Sequence, residues 1–209
     1  MTAHLDHLVI AAADLESGRA WLEDQLGVKM QPGGEHARFG THNALLGLGG
    51  SYLEVIAVNP AAPAPLYPRW FGLDESEMQQ RLLTGPALIH WVVTVQHMGA
   101  ALRLSTEDHG EALALARGNN RWQLSVPRGG PLPMGGVLPS LIEWESASPA
   151  SSLRSAAVLE RLTLTTPDPA RLSAALEALG FTGTPIQIQP GPTRLQATLR
   201  VDGREIQLG

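Results

Sequence analysis

The sequence of 209 residues contains no cysteine. Disulfide bonds, thiolate nucleophiles, iron–sulfur clusters and cysteine-based zinc sites are therefore excluded. Aromatic residues make up only 5% of the chain, so leucine, alanine, valine and isoleucine must fill most of the core. With 44% hydrophobic and 17% charged residues, the composition is that of a globular protein.

Long hydrophobic runs and an excess of positive charge are also missing. The apolar run at residues 8–13 is too short to span a membrane, and no basic stretch precedes it as in a signal peptide. The formal net charge is −5, and the basic residues, almost all arginines, are scattered. This balance disfavours nucleic acids and anionic membrane surfaces as partners. We expect a soluble, cytoplasmic protein that acts on a small molecule.

A pattern of strand, polar break and amphipathic helix occurs three times. In the first copy, Asp14 follows the strand as a helix N-cap and Gly27 ends the helix. In the third copy, Asp168 and Pro169 are a typical cap and first helical residue. The second copy has a strong strand at 88–95 and a weaker helix near 98–104.

Short strand-like runs follow each of these helices. They are expected at residues 36–40, 43–48 and 52–58, at 112–117, 121–126 and 138–144, and at 186–189, 193–201 and 205–208, where Asp202-Gly203 is a hairpin turn. Each unit therefore has the order βαβββ, and the sequence predicts an α+β fold. The expected units are residues 1–58, 87–145 and 157–209. A linker at 59–86 carries a short helix near Glu75–Leu83. Trp70 and Phe71 are expected to pack this helix onto the sheet, and the alternative is that they form a pocket wall.

Two histidines and two glutamates occupy matching positions of the first two units. His7 and His90 lie in the first strand of their units, and Glu54 and Glu143 lie in the last strand. An unpaired charge among such apolar neighbours would cost roughly several kcal/mol, which a bound cation offsets. Such a set suits Zn, Ni, Co, Mn or Fe(II), acting as a Lewis acid. The alternative is that the histidines are packed core residues and the glutamates face solvent.

The third unit cannot form a second site of this kind. Its matching positions hold Arg161 and Gln207. Because it has no partner unit within the chain, we expect it to act as a cover or as the surface of a homodimer.

Several segments resemble the bacterial glyoxalase-like domain group of the vicinal oxygen chelate superfamily, which also includes glyoxalase I, extradiol dioxygenases and bleomycin-resistance proteins. They are residues 5–9, 33–36, 39–46, 52–56 and 165–170, and the run Gly-Thr-His-Asn-Ala-Leu-Leu within them is specific for the group. The resemblance covers essentially the whole chain. It implies that the first two units form a cup in which His7, Glu54, His90 and Glu143 bind a divalent metal.

The resemblance also implies a function. We expect a metal-dependent lyase or isomerase that acts on a small oxygen-chelating substrate, with Glu54 or Glu143 moving a proton between adjacent carbons. Two alternatives stay open: a metal-free binding protein of the bleomycin-resistance type, and an Fe(II) extradiol dioxygenase with two histidines and one carboxylate. The candidate substrate-binding residues are His36, Arg38, His42, Asn43 and Arg121.

Overall fold

The computed structural model describes residues 2–209. These residues contain twelve strands, which form two sheets, and four α-helices. This confirms the α+β class. The strands are β1 (Ala3–Ala11), β2 (Gln31–His36), β3 (Thr41–Gly47), β4 (Tyr52–Val58), β5 (Ala87–Val95), β6 (Glu111–Arg117), β7 (Asn120–Val126), β8 (Ser140–Trp144), β9 (Val158–Thr166), β10 (Ile186–Pro190), β11 (Arg194–Val201) and β12 (Arg204–Leu208). The helices are α1 (Leu15–Leu26), α2 (Ser76–Leu83), α3 (Met98–Leu104) and α4 (Pro169–Ala178).

The larger sheet is the expected glyoxalase-type cup. Its eight strands run in the order β2-β3-β4-β1-β5-β8-β7-β6. At the centre, β1 and β5 are antiparallel to each other. β4 pairs in parallel with β1, and β8 pairs in parallel with β5. The remaining pairs are antiparallel. The sheet curls until its two edge strands, β2 and β6, come into contact. One face of the sheet is therefore concave.

The smaller sheet has the same order of elements along the chain but a different pairing. Its strand order is β10-β9-β11-β12, so β9 lies between β10 and β11 instead of next to the last strand. Leucines of β9 and β11, such as Leu164 and Leu199, share one hydrophobic cluster with Leu8 and Trp91 of the large sheet. The smaller sheet thus packs on the convex side of the cup.

Helix and hairpin ends follow the local signals in the sequence. Asp14 accepts a hydrogen bond from the Ser17 N–H at 2.8 Å, and Gly27 ends α1 with a φ of 71°. Asp168 caps α4 in the same way, with Pro169 as its first residue. These predictions are confirmed. No helix within residues 2–209 is long and apolar enough to cross a membrane.

The predicted strand at 36–40 is wrong. β2 occupies Gln31–His36, and residues 37–40 form a turn that ends at Gly40 with a φ of 58°. β2 contains Pro32 and two glycines, which normally argue against a strand. An edge strand tolerates them because one side of its backbone has no partner, and the β2–β3 register shifts between Pro32 and Glu35.

Candidate active site

Two consecutive polar residues of β1, Asp6 and His7, are buried at the floor of the cup. The pairing of β1 with β5 shifts between Leu5 and His7, so Asp6 is the extra residue of a β-bulge. The Asp6 carboxylate accepts a hydrogen bond from His7 Nδ1 at 2.7 Å and another from Trp144 Nε1 at 2.8 Å. With its proton on Nδ1, the ring of His7 has an unprotonated Nε2 available as an acceptor.

Glu54, on the neighbouring strand β4, faces that nitrogen. Its Oε2 lies 3.5 Å from His7 Nε2, and its Oε1 accepts a hydrogen bond from the side-chain amide of Asn43. The ring of Tyr52 stacks on His7 with a centroid distance of 4.7 Å. Burial, together with the charges of Asp6 and Glu54, raises the pKa of Tyr52 well above its usual value, so its phenol stays protonated. A proton or a ligand hydroxyl between Nε2 and Oε2 would satisfy both acceptors.

Arg117, the last residue of β6, closes the polar side of the cup. Its Nη1 donates to Asn43 Oδ1 at 3.1 Å and to His36 Nε2 at 3.2 Å. Burial and the adjacent guanidinium lower the pKa of His36 to about 3, so this ring is neutral and acts as an acceptor. Asn43 therefore connects the Glu54 carboxylate to a guanidinium whose two hydrogen-bond partners carry no charge.

The consecutive glycines of β2 make room for this network. A Cβ atom at Gly33 would lie 2.0 Å from Asn43 Oδ1, and one at Gly34 would lie 2.6 Å from Arg117 Cδ. The Gly34 N–H also donates to Asn43 Oδ1 at 2.8 Å. Both glycines are therefore required by the close approach of site residues rather than by a turn.

The rest of the cup is lined by aromatic and aliphatic side chains. The polar groups surround an inner pocket of about 30 Å³, whose apolar walls are Trp70, Phe71, Trp122, Leu124, Ile142 and Trp144. The pocket adjoins a groove of about 190 Å³, and three residues line both of them: His36, Trp70 and Trp122. The inner pocket holds one or two water-sized groups. The cup thus combines a small charged end with a larger apolar approach.

A model of the family described as a glyoxalase-like domain matches residues 5–180. The chain belongs to this family. The resemblance inferred from the sequence is thereby confirmed. Among curated proteins, none matches this chain.

Comparison with solved structures finds one that shares the fold over nearly the whole chain, and others with lower similarity. A hypothetical protein from Staphylococcus aureus is 13% identical with a TM-score of 0.61, over 99% of this chain and 84% of its own. Methylmalonyl-CoA epimerase from Mycobacterium tuberculosis is 23% identical with a TM-score of 0.41, over 71% and 91%. The Streptomyces coelicolor epimerase in complex with 2-nitronate-propionyl-CoA is 17% identical with a TM-score of 0.44, over 69% and 96%.

In this glyoxalase-like protein the four expected metal ligands do not meet. His7 and Glu54 are neighbours, but both ring nitrogens of His90 are used elsewhere. Its Nδ1 donates to the Gly136 carbonyl at 3.0 Å, and its Nε2 accepts from the Ser140 N–H at 3.1 Å. Burial lowers the pKa of His90 to about 3. The ring is a neutral, fully bonded core residue.

Glu143 lies on the opposite face of the sheet. Its Oε2 accepts a hydrogen bond at 2.6 Å from the N–H of Met98, the first residue of α3. The residues on either side of it, Ile142 and Trp144, line the cup instead. Because side chains alternate along a strand, a difference of one residue in register moves a side chain to the other face. The expectation that Glu143 is a ligand or base inside the cup is therefore corrected.

The donor set does not fit a four-ligand divalent metal. Among residues 2–209, no group of three or more histidine, aspartate or glutamate side chains is arranged to hold a metal ion. His7 and Glu54 supply two donors, and the Nε2 of His36, also in the inner pocket, is engaged by Arg117. Across the pocket from them lie Leu124, Ile142 and Trp144, which supply none.

The expected substrate-binding residues are also divided. His36 and Asn43 line the inner pocket, and Arg38 lies further out in the groove. His42 lies on the other face of β3, near Arg19 of α1. Arg121 is exposed, since its neighbour Trp122 faces the cup and side chains alternate along β7.

Two charged site residues, Asp6 and Arg117, were not among the expected ones. Asp6 directly precedes His7 in an otherwise apolar strand, which was a usable signal. Arg117 continues the alternation of Leu113 and Leu115, whose side chains pack against the cup-facing cluster. That alternation placed Arg117 on the concave face.

Proposed function

We propose that this protein is a lyase or isomerase that transfers a proton on a small, oxygen-bearing, anionic substrate. Glu54 and His7 would act as acid and base, and Arg117 would bind the negative charge. The observation that carries the proposal is the buried series of contacts Asp6–His7–Glu54. It shares one cavity with the guanidinium of Arg117, whose hydrogen-bond partners among the described residues are the uncharged side chains of Asn43 and His36.

Asp6 prepares His7 for proton transfer. A carboxylate on Nδ1 selects the tautomer with a free Nε2 and stabilises the imidazolium that forms when Nε2 takes a proton. The Oε2 atom of Glu54 is 3.5 Å from that nitrogen, so both groups reach a hydrogen bound to one substrate carbon or oxygen in the inner pocket. The general-base role expected for Glu54 is thus retained in this proposal, without Glu143.

Arg117 provides the complementary charge. A substrate carboxylate, or the oxyanion that develops when a proton leaves the adjacent carbon, would accept charge-assisted hydrogen bonds from it. Such bonds are stronger where little water is present, and the inner pocket has a volume of only about 30 Å³. Asn43 keeps the guanidinium and the base in a constant relative position because it contacts both.

The proposal does not use a metal ion. Divalent metals are often used in the superfamily, but Glu143 lies on the other face of the sheet and both ring nitrogens of His90 are already hydrogen-bonded. The other histidine of the inner pocket, His36, has its Nε2 engaged by Arg117 at 3.2 Å, so it does not supply the second histidine ligand that the dioxygenase alternative needs.

The aromatic lining of the cup favours a second candidate, a binding protein without catalysis. Trp70, Phe71, Trp122 and Trp144 form an apolar enclosure of the kind that ligand-binding sites use. Turnover distinguishes the two candidates, because a binding protein retains ligand affinity but exchanges no substrate proton.

The test is hydrogen–deuterium exchange by NMR, with small 2-hydroxy and 2-oxo carboxylates in D₂O. We expect Glu54→Gln to abolish enzyme-dependent loss of the C–H signal. Glu143→Gln is the matched control, since Gln still accepts from the Met98 N–H, and it should exchange at the wild-type rate. If both variants stop exchanging the substrate proton, the four-ligand arrangement is supported instead. If Glu54→Gln exchanges at the wild-type rate, the proposal is overturned.

A further inference from the structure

The few aromatic residues of the chain are concentrated at the cup. The sequence has five tryptophans, two tyrosines and three phenylalanines. Six of these ten line the inner pocket or the groove: Phe39, Tyr52, Trp70, Phe71, Trp122 and Trp144. The larger cluster on the convex side is filled almost entirely by aliphatic residues. This distribution points to the ligand rather than to general core packing.

The aromatic residues form two groups along the same space. The ring of Trp70 stacks with Phe39 at a centroid distance of 4.2 Å and with Phe71 at 5.1 Å. Trp122 and Trp144 lie 5.4 Å apart and belong to the large sheet. Trp70 and Trp122 line both the pocket and the groove. A planar group between them would contact aromatic faces and edges from both groups.

The first aromatic group is held by a strained backbone. Phe71 has a φ of 59°, a conformation that costs energy for a residue with a bulky side chain. The next residue, Gly72, donates its N–H to the Gly130 carbonyl at 2.7 Å. Gly130 in turn permits the contact, because a Cβ there would lie 2.0 Å from the Arg69 carbonyl oxygen. Strain of this kind is common where a binding surface must keep one shape.

Trp70 also carries a donor without a partner. It is 3% exposed, and its Nε1 makes no hydrogen bond among the described residues. Buried N–H groups in proteins are nearly always paired. This unsatisfied donor belongs to the ring that lines both the pocket and the groove.

The volumes limit the size of such a molecule. A cavity of about 150 Å³ is enough to bind benzene, and the groove measures about 190 Å³. The inner pocket, of about 30 Å³, accommodates a carboxylate-sized group but not a ring.

We propose that the ligands of this site are monocyclic aromatic acids, with the ring between Trp70 and Trp122 and the carboxylate at Arg117. This inference relies on the proposed function for the location of the site and the role of Arg117. It adds the class of substrate, which neither acid–base residue determines.

The test compares four probes by isothermal titration calorimetry. Benzoate is the aromatic acid, cyclohexanecarboxylate has the same charge and ring size without a planar ring, benzyl alcohol lacks the charge, and acetate lacks the ring. We expect benzoate to bind with a dissociation constant of about 1 mM or lower, as fragments of this size can. Its affinity should exceed that of cyclohexanecarboxylate about tenfold, from two aromatic contacts.

Two variants separate the ring from the charge. Trp122→Leu should remove the preference for benzoate over cyclohexanecarboxylate, while Trp21→Leu, on α1 outside the cup, should keep it. Arg117→Gln should weaken benzoate about 10- to 100-fold but leave benzyl alcohol unchanged. If Trp122→Leu does not fold, the four-probe comparison on the unmodified protein still decides.

The outcomes also distinguish the inference from the proposed function. Equal affinity for benzoate and cyclohexanecarboxylate, or no benzoate binding, overturns the inference. If aliphatic 2-hydroxy acids exchange protons and benzoate does not compete with them, the inference fails while the function stands. If benzoate binds as expected but no carboxylate exchanges a proton, the proposed chemistry fails while the ligand class stands.

Discussion

Lowering the pH from about 8 to about 5 should destabilise this protein through two buried histidines. The pKa values of His36 and His90 are each lowered to about 3 by burial, against about 6.5 in the unfolded chain. Below pH 6.5 the unfolded state therefore binds protons that the folded state does not bind, and stability falls as the pH falls towards 3. Each such histidine costs about 2 kcal/mol of stability at pH 5, so the pair costs about 4 kcal/mol. The pKa of His109 is lowered in the same direction.

The assay is urea denaturation followed by tryptophan fluorescence at both pH values. The quantity compared is the difference in the free energy of unfolding between them, which separates the pH effect from any general destabilisation by a mutation. In His90→Gln this difference should shrink by about 2 kcal/mol. His97→Gln, at an exposed position before α3, is the control and should leave it unchanged. A wild-type difference below about 1 kcal/mol, or the same difference in His90→Gln, would refute the reasoning.

The remaining predictions concern the site. Asp6→Asn should slow proton exchange by roughly 100-fold or more while benzoate still binds, because the tautomer of His7 is no longer selected; an unchanged rate in the NMR assay would contradict this role. Gly34→Ala should displace Arg117 and cost about 1–3 kcal/mol of stability in urea denaturation; wild-type stability and benzoate affinity would show that the glycine is not needed. Incubation with a chelator should leave the melting temperature unchanged, since only a ligand bound to the native state raises it. A clear drop would show that the native protein binds a metal, with donors other than His90 and Glu143 beside His7 and Glu54.

Local signals predicted the ends of most elements correctly. Asp14, Gly27 and the Asp168-Pro169 pair act through hydrogen bonds and backbone angles within a few residues, so their effect is visible in the sequence. The failure at residues 36–40 has a non-local cause. Whether Pro32 and its neighbouring glycines can join a strand depends on that strand lying at a sheet edge, which no local pattern reveals.

The repeated order of one strand, one helix and three strands was also readable from the sequence, and with it the α+β class. The pairing of those strands was not. In the smaller sheet β9 lies between β10 and β11, whereas in the cup β1 lies next to β4. The division of the chain at residues 58, 87, 145 and 157 stays a prediction.

For the site, the sequence by itself determined which residue types were present and that His7, His36, Asn43 and Glu54 lie in or beside the strands of the first unit. The tertiary structure decided which side chains meet. Register places Glu143 on the convex face, and packing uses both nitrogens of His90, although each residue matches a partner in the first unit. Curling of the sheet brings Arg117 to Asn43, 74 residues away along the chain. Such contacts depend on the summed twist of eight strands, which is a property of the folded sheet and not of any one segment.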